Sequence, residues 1–158
     1  MFRDSRKPSP SLDRGENEMS DFEGILVLIG RLIFMVYFLM AGWNHVKNSD
    51  AMVGYARSMR FPVPAVGGWV TGVVLIIGGL FIGLGIWPDI GALLIGLFLL
   101  TAAAYFHRFW QVGEDMKMTQ TFAFWRNGLG LAGCLIMIGF FAAAGEELRY
   151  SITAPVFG

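Results

Sequence analysis

Four apolar stretches, each about as long as a bilayer is thick, constrain this chain more than anything else in it. A helix needs about 20 residues to cross a hydrocarbon core of roughly 30 Å, and residues 24–43, 69–87, 90–109 and 125–144 supply such runs. Composition excludes the soluble alternative. Of 158 residues 55% are hydrophobic and only 15% charged, with a mean hydropathy of +0.57, more apolar surface than a water-soluble domain of this size can hide. The expected fold is therefore an all-α integral membrane protein, a four-transmembrane-helix bundle. Tryptophan supports the same boundaries: Trp43, Trp69, Trp87, Trp110 and Trp125 all fall at or beside a span end, where an amphipathic indole prefers to sit.

The connections refine this picture. Only Pro88 and Asp89 separate the second and third spans, which predicts a tight antiparallel hairpin with Pro88 stopping the second helix. Between the first two spans, Met52, Val53, Tyr55, Ala56 and Met59 recur at helical spacing opposite Asp50, Arg57, Ser58 and Arg60. That pattern predicts a short interfacial helix, started by Ser49 or Asp50 and closed before Pro62. Gly68/Gly72, Gly79/Gly83 and Gly128/Ala132 carry small residues at four-residue spacing, which lets helix backbones approach closely where lipid supplies no hydrophobic drive. Abundant glycine in membrane helices would produce such pairs as well.

Residues 1–22 form a polar stretch containing Pro and Ser, expected to be a disordered tail, and residues 146–158 a C-terminal tail, leaving 23–145 as the membrane domain. Met19 stands just before the first apolar run and is a second candidate start. Acidic and basic residues balance at twelve each, which gives no reason to invoke nucleic acid. Basic residues are nearly equal on the two faces, so orientation rests on the tail alone, and both termini are placed in the cytoplasm. Cys134 is the only cysteine, so no internal disulfide, CxxC pair or cysteine-based zinc site can form; its depth in the fourth span makes it a packing residue.

Chemistry can gather in one place. His45 ends the first span and His107 the third, at the same membrane face, where Arg126 and Asn127 open the fourth. Trp43, Asn44, His45, His107, Trp110, Arg126 and Asn127 thus make the one patch where polar, titratable and aromatic groups converge. Imidazoles there can exchange hydrogen bonds with a quinone carbonyl or a sulfur oxyanion. The plainer reading is that they cap helix carbonyls and anchor to headgroups. Interfacial placement argues against a bis-histidine b-type haem, and two histidines without a third ligand make no metal site.

Arg31 lies about 10 Å into the first helix, where charge is expensive. With Asp50, Asp89, Glu114 and Asp115 all read as loop residues, it has no acid partner within the spans. It is expected to snorkel to the tail-side interface; the alternatives are bonds to helix carbonyls, or pairing with another subunit or an anionic lipid. The lack of intramembrane acids also argues against a carboxylate proton relay.

The run Gly30-Arg31-Leu32-Ile33-Phe34, then Ala41-Gly42-Trp43-Asn44-His45 with Asn48, Phe61-Pro62-Val63-Pro64, Ile76-Ile77-Gly78-Gly79-Leu80, Phe106-His107-Arg108-Phe109-Trp110 and Phe124-Trp125-Arg126-Asn127 resembles the DoxX family of four-helix bacterial membrane proteins, over about residues 21–145. The resemblance implies a multi-pass protein of a bacterial or archaeal cytoplasmic membrane. It also implies association with quinone-linked sulfur, thiol or respiratory redox complexes, because some members are named for a subunit of a thiosulfate:quinone oxidoreductase. There is one departure. Members often carry a glutamate about three residues before the Gly-Gly of the second helix, and here Leu75 stands there. That shifts weight from catalyst to accessory subunit. Two readings follow: a membrane subunit whose histidine face binds quinone or docks a redox partner, with no cofactor held by the chain alone, and a non-catalytic scaffold that packs in a larger complex or homo-oligomer through its glycine faces.

Overall fold

The computed structural model describes residues 19–158, so most of the predicted N-terminal tail lies outside the described residues. Helix α1 runs Asp21–Lys47 and is started by a capping box: Ser20 Oγ accepts from the Glu23 amide, and a Glu23 carboxylate oxygen accepts from the Ser20 amide at 2.8 Å. The short helix α2 spans Ser49–Ser58, as the periodicity predicts, but Asn48 rather than Ser49 or Asp50 precedes its first turn. Helices α3 (Trp69–Leu84), α4 (Pro88–Thr101) and α5 (Glu114–Ala144) follow. No strand occurs among the described residues.

Three helical stretches, Asp21–Lys47, Pro88–Gln111 and Glu114–Glu147, are long and apolar enough to cross a membrane. With its 16 residues α3 spans roughly 24 Å, and it carries the chain back between α1 and α4. A Cβ on Gly42 of α1 would lie 2.6 Å from the Gly72 carbonyl oxygen of α3, and one on Gly91 of α4 would lie 2.7 Å from that of Gly78. Only glycine permits backbones this close. Since lipid is as apolar as a leucine side chain, such contact and its dispersion energy hold the bundle, not hydrophobic exclusion. Around these seams Phe38, Leu75, Ile82, Ala92, Ile95, Leu99 and Cys134 form the core, with Cys134 packed beside Gly96. The outer faces of α1 and α5 expose Ile25, Ile29, Ile33, Met40, Leu129 and Ile136. These are lipid-facing surfaces.

The structure also differs from the sequence-based expectation at the ends of the helices and of the chain. Pro88 does not stop the second helix; it occupies the first turn of α4, a position its missing N–H suits, and the hairpin is Gly85, Ile86 and Trp87. Gly85 closes α3 with a φ of +69°, and a side chain there would strike the Arg31 guanidinium. Next, α5 begins at Glu114, about three turns before the span at 125. Finally, residues 146–158 are a tail in sequence order only. They fold back as a strap across the tail-side end of the bundle, where Leu148 is buried and the Ile152 and Thr153 amides donate to the Gly85 carbonyl.

Arg31 explains the strap. It does not snorkel, for only 2% of its surface is exposed, and all five of its N–H groups are used. Nε donates to the Ile82 carbonyl at 2.7 Å, Nη2 to the carbonyls of Gly83 and Tyr150, and Nη1 to the Arg149 carbonyl and Ser151 Oγ. Two of these acceptors end α3, where the helix dipole favours a cation. Asp89, read from sequence as a loop residue, is fully buried in the first turn of α4. Its Oδ2 accepts from the Val156 and Phe157 amides, each at 2.7 Å, and its Oδ1 from the Ile90 amide. The strap thus presents carbonyls to the buried cation and amides to the buried acid.

Candidate functional site

The opposite end of the bundle is built differently. After Thr101 the α4 helix loosens into a π-helical turn, Ala102–Phe106, and the chain leaves helical geometry at His107. Such turns shift the phase of whatever follows them and recur at functional sites. Here the turn brings Ala102 to the bundle interior and sends His107 toward α5, where its Nδ1 lies 3.0 Å from Gln120 Oε1. Gln120 lies on the part of α5 that extends beyond the apolar span.

His45 sits in the last turns of α1. Its Nδ1 is 3.2 Å from the Gly67 carbonyl oxygen and 3.0 Å from Thr71 Oγ1, and its ring meets Phe98 edge-on with centroids 5.6 Å apart. Gly67 belongs to the 3-10 turn Pro64–Gly67, which Ala56 of α2 packs against, so the interfacial helix helps to position the imidazole. Tyr55 of α2 ties the same region to the π turn by donating to the Phe106 carbonyl, while Phe61 packs on Tyr105 and Phe106.

Between the four long helices lies a cavity of about 180 Å³. Asn44, His45, His107, Arg126 and Asn127 all line it, over an apolar floor that includes Phe38, Leu75, Phe98 and Leu99. Asn127 is nearly buried and donates to the Ala123 carbonyl one turn back; Asn44 accepts from Asn48 Nδ2. Arg126 has no ion-pair or hydrogen-bond partner among the described residues, and no acid lines the cavity. A wider groove along α5, bordered by Thr119, Gln120, Phe122 and Ala123, shares His107 and Arg126 with it. Those two side chains therefore stand at the passage between cavity and groove.

Trp43 and Trp110 stand outside the cavity. Trp43 is exposed, and Trp110 packs in an aromatic group with Phe109 and Phe124. Sequence reasoning missed the apolar walls, although Phe38 and Ala41 precede His45 by two helical turns and one, a spacing that puts them on its face. It also missed Thr71 and Gln120, the partners of the two imidazoles. Nothing in their type marks them.

A family model described as DoxX matches residues 26–108, more than half of the chain. The chain belongs to the DoxX family. A relative of this DoxX protein, the Inner membrane protein YphA of Escherichia coli (strain K12), is 25% identical over 114 residues, covering 72% of this chain and 81% of YphA. No solved structure matches. Family and apolar helices together make this a multi-pass protein of the cytoplasmic membrane. The DoxX departure at Leu75 gains a location. Position 75 faces the cavity, whereas Arg31 bonds to α3 at Ile82 and Gly83, about two turns away. An acid at 75 would face the cavity that His45 and Arg126 line, not Arg31.

Proposed function

We propose that this DoxX protein is a membrane subunit of a quinone-linked redox complex, accessory rather than independently catalytic, and that its cavity receives the quinone head group. One observation carries the reading: His45, His107, Arg126 and Asn127 converge on an apolar-floored cavity that meets a lateral groove at the membrane face. A cavity of roughly 150 Å³ accommodates a benzene ring, so about 180 Å³ suits one substituted ring. Phe98 and Phe38 offer apolar aromatic surface, while the imidazoles and guanidinium offer hydrogen bonds at the rim, the usual division of labour in small-molecule sites. A quinone so bound would exchange reducing equivalents with a partner subunit, because this chain's one thiol is buried in the core.

The glycines divide between the two readings. Gly42, Gly72, Gly78, Gly83 and Gly91 are spent on seams inside the bundle, whereas Gly30, Gly139 and the Gly128/Ala132 pair stay on open faces where another subunit could pack. The quinone reading is tested by photolabelling native membranes with an azido-quinone. Label is expected on α1 and α5 peptides near His45 and Arg126, competed by unlabelled quinone, and His45→Ala and His107→Ala should each lower quinone-dependent turnover of the host complex at normal protein level. Unchanged turnover in both variants, with label elsewhere, would sink the reading.

A further inference from the structure

The two imidazoles are not equivalent. Both neighbours of His45 Nδ1 can accept. The Gly67 main-chain oxygen has no proton to give, and the single Thr71 hydroxyl proton is directed at the carbonyls of Gly67 and Gly68, 3.0 and 2.9 Å away, leaving a lone pair toward the ring. In the neutral imidazole one nitrogen donates and the other accepts. Nδ1 is therefore the donor, and Nε2 carries a bare lone pair. His107 is not held this way, since Gln120 can turn either amide atom toward it.

His45 Nε2 has no hydrogen-bond partner, yet every inaccessible side-chain nitrogen and oxygen among the described residues has one. It is consequently accessible, on the edge of the ring turned away from Gly67 and Thr71, in a residue that lines the cavity. We infer that His45 presents a fixed acceptor, its bare Nε2, to the cavity, and that the site selects the hydroxyl-bearing, reduced form of a quinone ring over the oxidised, carbonyl-bearing form. This rests on the quinone reading above. A ring hydroxyl can donate to Nε2, whereas a carbonyl oxygen would set lone pair against lone pair. At the far edge of the ring the distinction vanishes. Arg126 supplies donors only, and the oxygens of both quinol and quinone accept. The discrimination comes from one side chain, held by a turn between α2 and α3.

The test uses the full chain in lipid nanodiscs, with a short-chain benzoquinone and, under argon, its quinol as probes. The quinol should bind about five- to tenfold more tightly, the worth of one hydrogen bond. His45→Phe should bring the two affinities together by weakening the quinol alone. The chain has two histidines, so ¹⁵N-histidine spectra of wild type and His107→Gln assign His45 and read its tautomer whether or not His45→Phe folds. An unprotonated Nε2 whose resonance moves with quinol and not with quinone supports the inference. A protonated Nε2 in the neutral ring, equal affinities, or tighter quinone binding overturns it and leaves the quinone reading standing. Binding of neither probe overturns both.

Discussion

The two ends of this bundle handle polar groups in opposite ways. At the tail-side end, Arg31 and Asp89 are buried with every donor and acceptor matched, mostly by main-chain atoms of the helix ends and the strap. At the other end His45, His107 and Arg126 keep hydrogen-bonding capacity facing a cavity. Burial depth is thus a poor guide to function here. The most expensive charge in the membrane closes the structure, and the cheaper, more exposed groups face the space a ligand would fill.

Substitutions can break this contrast or sharpen it. The largest effect belongs to Arg31→Leu, which orphans acceptors from α3 and the strap together; the thermal midpoint in detergent should collapse, for a loss of about 1–3 kcal/mol for each buried acceptor left without a donor. Wild-type stability in Arg31→Leu would mean that the tail-side end is not closed by this residue. Next comes Gly72→Ala, on the seam that runs between the ends. Its new methyl group would lie 2.8 Å from the Gly42 carbonyl oxygen, an overpacking that should cost about 2–3 kcal/mol in the same assay. Asp89→Asn replaces a carboxylate that accepts from two strap amides with an amide group that can match only part of that pattern. About 1–2 kcal/mol should be lost, and limited proteolysis should cut the strap faster while the helices stay protected. At the open end, Arg126→Gln should leave stability within about 0.5 kcal/mol of wild type, because no bond is broken, and should weaken quinone and quinol binding alike. A strongly destabilised Arg126→Gln would show that this end is closed too.

How much of this was legible in the sequence depends on which atoms do the bonding. The spans and α2 could be read because they are written in side-chain type and period, and the gathering of Asn44, His45, His107, Arg126 and Asn127 follows from counting helix ends. The first turns of α5 could not. Residues Glu114 to Gln120 are polar except for Met116 and Met118, and hydropathy marks where a helix meets lipid, not where it stops. The strap was illegible for a deeper reason: Val156 and Phe157 bond through amides, and Arg149 and Tyr150 through carbonyls, groups that almost every residue owns. A search for acids to match Arg31 therefore failed, since its partners are not acids. Leu75 could be noted as a departure, but its place on the cavity floor needed the helix phases of α1 and α3.

The strap also sets a timetable. Arg31 enters the membrane with the first helix, while its acceptors at Arg149 and Ser151 are translated 118 and 120 residues later. At about 5–20 residues per second, the guanidinium waits roughly 6–24 s for them. Until α3 supplies the Ile82 and Gly83 carbonyls, 51 and 52 residues on, snorkelling toward the headgroups is the route open to it, so the posture that is wrong for the finished protein describes the nascent one. Assembly of this bundle is then zipped from the far end of the message, and the first helix takes its final depth only when the segment after α5 arrives.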